Sequence, residues 1–168
     1  VWGRKGANKY LLDQVRKRLS FTETIVAVRK MHERWPDARA ILVEDKANGT
    51  AIIDSLRNEI AGIIPVEPEG GKVARANAIQ PQIEAGNVYL PDYKQNPWVE
   101  DFIEEFACAT PEGGGSFWDQ IDAASQALVR LNRPIIRPAL RHGLIAGRGT
   151  RSLTFGRGIG NNERRKNK

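Results

Sequence analysis

Two acidic segments have residue types and spacing that could support chemistry. Leu42-Val43-Glu44-Asp45 ends an apolar run in two carboxylates, and Trp118-Asp119-Gln120-Ile121-Asp122 carries two more, one helical turn apart. Carboxylates three residues apart on a helix point to one face, and groups at the carboxyl ends of strands gather at the functional edge of an open α/β sheet. Hard divalent cations take oxygen donors of this kind. Glycine adjoins both segments: Gly49 follows the first and Gly113-Gly114-Gly115 precedes the second. Gly49 lets the chain turn away from the strand end, and the triplet lets a helix start approach the sheet closely. Two acid clusters on separate elements fit a two-metal site. Each also has a plain structural reading. An acidic pair at a strand end reads first as a solvated turn, and acids in a first helical turn are favoured by the helix dipole.

The elements that must position these acids follow from periodicity. Residues 1–4 are extended, Gly6-Ala7-Asn8 turns, and residues 9–16 return as a strand, giving a hairpin. Thr22 is a good N-cap for a helix bearing Ile25, Val26, Val28 and Met31, which runs to Trp35 and stops at Pro36. Ala40-Ile41-Leu42-Val43 reads as a buried strand within 39–44. Asn48-Gly49 breaks it, and residues 50–60 form a helix with Ile52, Ile53, Leu56 and Ile60 on one side. Residues 63–66 are a further strand. Residues 72–84 have a helical pattern with Ala74, Ala78 and Ile83 inward and a bend or split at Pro81. Residues 87–90 make a last short strand. Residues 98–108 form an amphipathic helix with Trp98, Phe102, Ile103 and Phe106 inward and Glu100, Asp101, Glu104 and Glu105 outward. The final helix spans 116–131 and is capped around Ser116. Alternating strands and helices predict an α/β fold whose sheet is largely parallel beyond the first hairpin.

The chain of 168 residues fits one domain with a tail. Its net charge of +6 is unevenly spread: residues 132–168 hold ten Lys/Arg against one acid, Glu163, whereas residues 1–131 hold sixteen against nineteen. The domain is thus expected at 1–131, followed by a disordered Gly/Arg-rich tail at 132–168. Such a tail is either a solvated terminus or a segment that meets polyanions. No apolar run approaches the roughly 20 residues of a membrane-spanning helix, and the start of the chain is not a signal peptide. Absence of an initiating Met is read as a chain beginning inside a longer protein. One cysteine, Cys108, excludes an internal disulfide and a cysteine zinc site, which points to a reducing, cytoplasmic setting. Cys108 itself is expected to be a buried structural thiol. His32 and His142 have no metal-ligand spacing, and His32 is read as a helix-surface residue. Gly70-Gly71-Lys72 lacks the earlier glycine and following Ser/Thr of a phosphate loop.

The order of several short runs resembles the C-terminal nuclease domain of phage terminase large subunits, over residues 1–131. Leu42-Val43-Glu44-Asp45-Lys46-Ala47-Asn48-Gly49 is similar to the second acidic motif of that family, and Asp119-Gln120-Ile121-Asp122-Ala123 resembles the third. Between them, Ile64-Pro65-Val66, Gly70-Gly71-Lys72-Val73-Ala74-Arg75-Ala76, Glu84-Ala85-Gly86-Asn87-Val88-Tyr89-Leu90-Pro91 and Trp98-Val99-Glu100-Asp101-Phe102 match in order. The resemblance implies an RNase H-like mixed sheet with flanking helices, and an endonuclease that cuts concatemeric double-stranded DNA during packaging with two Mg²⁺ or Mn²⁺ ions. By this likeness Glu44 and Asp119 are metal ligands and Asp122 is an assisting catalytic acid. Lys72 and Arg75, at a helix start, are DNA-phosphate contacts or a solvated helix end. The portal protein and the small terminase subunit are the implied partners, in the host cytoplasm. Two departures accompany the likeness. The family's first aspartate lies on a strand before the hairpin, which this chain starts too late to contain, and Asp13 is on the wrong strand to replace it. The first of two adjacent acids in the third motif is replaced here by Trp118. A degenerate RNase H-like module that holds DNA without cutting, and a resolvase-like nuclease of the same fold, are the alternatives.

Overall fold

The computed structural model describes residues 1–46, 48–110 and 118–133. Ala47, the glycine triplet, the predicted cap Ser116 and the basic tail from residue 134 onward lie outside the described residues.

The chain opens with a hairpin of β1 (Trp2–Lys5) and β2 (Asn8–Leu11), paired antiparallel from Trp2↔Leu11 to Lys5↔Asn8. Only Gly6 and Ala7 lie between the paired ends, and Gly6 takes φ +63°, the conformation that two-residue hairpin turns require. The second strand stops at Leu11, short of the expected residue 16. Past it the Leu12 amide still donates to the Val1 carbonyl at 2.9 Å and the Val1 amino group donates to the Asp13 carbonyl at 2.6 Å, and the segment that follows runs along α1 (Phe21–Arg34).

The N-cap of α1 is Ser20, two residues before the expected Thr22. Ser20 and Glu23 form a reciprocal capping box: the Ser20 Oγ accepts from the Glu23 amide at 3.4 Å, and the Ser20 amide donates to the Glu23 carboxylate at 2.8 Å. At the other end of α1, Asp13 accepts from the Trp35 indole at 2.9 Å, Arg34 at 3.0 Å and the Gln14 amide at 2.8 Å. Partial burial pushes the Asp13 carboxyl up, but the hydrogen bonds from Trp35, Arg34 and Gln14 outweigh it, so the group titrates below the usual aspartate range. A lowered folded pKa stabilises above the unfolded value of about 3.9 and is lost as pH falls through the folded value. Denaturant melts of Asp13→Asn against the parent should therefore differ most near neutral pH and converge below about pH 4.

A parallel unit follows: β3 (Ile41–Glu44), α2 (Asn48–Leu56) and β4 (Ile63–Val66), in register from Ile41↔Ile63 to Glu44↔Val66. β3 ends at Glu44, ahead of the strand break expected at Asn48-Gly49, and the helix expected from residue 50 already includes these two residues. They form the first turn of α2, which ends at Leu56; Ile60 still reaches the core through the turn beyond it. Ile25, Leu56 and Ile60 pack with Val28, Ile41, Ile52 and Ile63, so α1 and α2 cover this small sheet.

The remaining elements are α3 (Lys72–Glu84), β5 (Val88–Tyr89), α4 (Trp98–Ala107) and α5 (Asp119–Asn132). β5 adds to β2 in parallel. The described strands thus form two sheets, β1-β2-β5 and β3-β4, and every pairing beyond the hairpin is parallel, as expected. Leu11, Phe102 and Ala124 pack with Trp2, Leu90, Trp98 and Phe106, joining the hairpin to α4 and α5.

Three helix readings change. In α3, Ala74, Ala78 and Ile83 are exposed, while Ile79 and Gln82 are buried and Arg75 is half-buried. The inward stripe is therefore 75, 79 and 82, which includes two polar residues that an apolar count passes over. Pro81 lies inside this helix without ending it. In α4, Ile103 is 49 % exposed, whereas Val99 and Glu105 are buried. Cys108 is exposed rather than buried, since it caps the end of α4, beyond its inward stripe. His32 is half-buried, with Nδ1 enclosed. No helix among the described residues is long and apolar enough to cross a membrane.

Candidate functional site

Glu44 and Asp45 part company at the end of β3, as neighbouring strand residues must. Asp45 turns back to the next element: its amide donates to the Val66 carbonyl at 2.9 Å, and its carboxylate accepts from the Thr50 hydroxyl at 2.6 Å. Asp45 therefore closes the strand onto α2. Glu44 stays largely in solvent, with Lys46 Nζ 3.7 Å away. The backbone beneath it is tightly enclosed. A Cβ on Gly49 would stand 1.8 Å from the Glu44 carbonyl oxygen, so only glycine allows the first turn of α2 to lie against this strand end.

The second acidic segment begins α5. Asp119 is exposed in the first turn. Asp122, one turn on, is held by α3: Arg75 Nε and an Nη2 hydrogen donate to its Oδ1 at 3.0 and 2.6 Å, and Arg75 Nη1 donates to the Gly70 carbonyl at 2.8 Å. Three of the five guanidinium N–H groups are used in this way. This bond lies on the same side of α3 as the buried Ile79 and Gln82. Lys72, a turn earlier, puts Nζ 6.0 Å from the ring centroid of Trp118, at the limit of a cation–π contact. Lys72 and Arg75 thus both meet the start of α5. Trp118, at the position where the sequence resemblance leads one to expect an acid, is 3 % exposed and part of the core.

Arg75→Ala leaves a half-buried carboxylate without its charge-assisted partner. Loss of about 1.5–3 kcal/mol is expected in urea unfolding, and Arg75→Ala with Asp122→Asn should be non-additive in a double-mutant cycle.

One residue of this region is invisible to the periodicity reading. Trp118 gives α5 no side-chain cap, and the orphan amides are met from α4 instead. Glu105, 7 % exposed, accepts from the Gln120 amide at 2.7 Å, the Ile121 amide at 3.2 Å and Gln120 Nε2 at 2.8 Å. Arg16 lies 3.0 Å from the same carboxylate, and Gln14 Nε2 donates to Gln120 Oε1 at 2.6 Å. The available signal was positional: Glu105 follows Phe102 by three residues, on the same side of the helix.

Among the described residues, no group of three or more His, Cys, Asp or Glu side chains is arranged to hold a metal ion. The structure brings Asp122 together with Arg75 and Lys72 together with Trp118. No hydrogen bond or ion pair joins Glu44 to the α5 acids among the described residues. The model of the Terminase RNaseH-like domain family matches residues 1–131. The chain belongs to this family. No curated protein matches it. As a terminase RNase H-like domain it is a nuclease-type module, and its mixed α/β architecture agrees with that fold. β3 ends in Glu44, and α5 carries Asp119 and Asp122 in its first turn.

Proposed function

We propose that this domain is the metal-dependent endonuclease of a phage DNA-packaging terminase, acting in the host cytoplasm and cutting concatemeric double-stranded DNA by two-metal phosphodiester hydrolysis. The family membership of residues 1–131 carries the reading. Glu44 and Asp119 are the ligands, and Asp122 is the assisting acid whose position Arg75 fixes. The donor set fits Mg²⁺ or Mn²⁺: both ligands are carboxylates, both reach solvent, and hard cations favour oxygen donors of this kind. When bound, a pair of such ions supplies an activated water and stabilises the leaving oxygen. Lys72 and the two N–H groups of Arg75 that have no hydrogen-bond partner among the described residues contact the DNA backbone, orienting the duplex without reading its sequence. The portal protein and small terminase subunit are the partners in the motor. The test is plasmid cleavage by the full-length protein in Mn²⁺, with EDTA as the control. Cleavage lost in EDTA is the expected result; no cleavage, or cleavage indifferent to EDTA, overturns the proposal.

A second reading, a module that holds DNA without cutting it, is favoured by one observation: Trp118 is buried where an acid is expected. In either case the Lys/Arg-rich tail is the main electrostatic contact. Removing residues 134–168, which spares the whole of α5, should weaken DNA binding and flatten its salt dependence, because each neutralised phosphate adds roughly 0.9 to the slope of log K against log salt. An unchanged slope would mark the tail as inert.

A further inference from the structure

We infer that Glu105 is a positioning residue for the metal site, acting through the first turn of α5; the inference rests on the reading of Asp119 as a metal ligand. The first four amides of a helix have no partners within it, and the N-cap residue Trp118 supplies no side-chain acceptor. A buried carboxylate is costly unless its oxygens are matched by donors. Glu105 meets both needs at once. All of its partners donate: two successive backbone amides, one side-chain amide and one guanidinium. The two amides belong to Gln120 and Ile121, so the carboxylate grips the backbone directly after Asp119. On the other side, Arg75 holds Asp122. The first turn of α5 is therefore fixed from α4 and from α3, and Asp119 projects to solvent between the two attachments. Ligands need this kind of support, because a carboxylate free to wander by an ångström binds a cation poorly. The linkage extends further: Arg16 and Gln14, from the segment after the hairpin, close around Glu105 and Gln120. The same carboxylate thus sets the position of the acid-bearing helix relative to the hairpin.

The experiment is Mn²⁺ binding by the full-length protein, followed by electron paramagnetic resonance of free Mn²⁺, beside amide hydrogen exchange at Gln120 and Ile121. Glu105→Met removes both acceptor oxygens while filling the space. It should weaken Mn²⁺ binding about 10–100-fold, as loss of an outer-shell partner does, and should expose both amides to exchange. Glu105→Gln keeps one acceptor oxygen and should recover part of both. Leu128→Ala loosens α5 from its core side, where Leu128 is buried, without touching the cap, and should leave Mn²⁺ affinity near that of the parent in the folded protein. Parental affinity in Glu105→Met overturns the inference, and so does an equal loss in Leu128→Ala, which would mean general loosening. Unchanged binding in an Asp119→Asn control has a different meaning: it overturns the assignment of Asp119 as ligand, and this inference with it.

Discussion

Glu44→Ala and Asp119→Ala should each abolish Mn²⁺-dependent plasmid cleavage by the full-length protein while leaving its fold intact. Both side chains reach solvent, and neither belongs to the buried clusters that hold the domain together. Their removal costs little packing, so circular dichroism and melting temperature should stay near those of the parent. Activity is another matter. Outer-shell partners of a metal typically cost roughly 10–100-fold when lost, and a direct ligand should cost more. Asp45→Ala is the informative contrast. Asp45 sits beside Glu44 in sequence but accepts from Thr50 and closes the turn to α2. Its loss should lower stability modestly and cleavage far less than the loss of Glu44. Full activity in both Glu44→Ala and Asp119→Ala would sink the ligand assignment, whatever else the domain does.

Gly49→Ala should be the most damaging conservative change at the site. The added methyl group would meet the Glu44 carbonyl oxygen at 1.8 Å and its carbon at 3.0 Å. Both are backbone atoms, so no side chain can swing aside. Either α2 lifts from the strand end or β3 shifts, and overpacking of this kind costs about 1–3 kcal/mol, occasionally more. For a chain of this size that corresponds to a fall of roughly 2–12 °C in melting temperature, at 2–4 °C per kcal/mol. The strand end that moves is the one bearing Glu44, so Mn²⁺ affinity should fall with stability. A Gly49→Ala protein that melts with the parent would show that α2 can retreat at no cost.

The hairpin, α1, β3, β4 and α4 were legible because their signals are local. A Gly-Ala turn, an apolar run and Pro36 each act within a few residues. Three features were not. From the sequence Glu105 reads as solvent-facing, because its partners lie 15 and 16 residues away and nothing near it announces them. Arg75 reads as a phosphate contact or a solvated helix end because Asp122 is 47 residues distant. The same ion pair bears on α3, whose inward side carries the polar Arg75 and Gln82 beside the fully buried Ile79, so a count of apolar residues alone misplaces it. Gly49 was correctly singled out, but as a point where the chain leaves the strand. Its actual role is to let a helix begin there. The acids themselves were found by type and motif order, while what holds them in place is tertiary.

The division of the strands into β1-β2-β5 and β3-β4 bears on how the domain behaves in a test tube. Among the described residues, no strand pairs with the outer edge of β1 or with the edge of β3 opposite β4. Unpaired edges offer a row of amides and carbonyls to any chain that can lie alongside, and β3 presents Ile41-Leu42-Val43 with no charge until Glu44. A concentrated preparation of these residues alone should therefore age by strand addition between molecules, with a lag, seeding and a rising thioflavin signal.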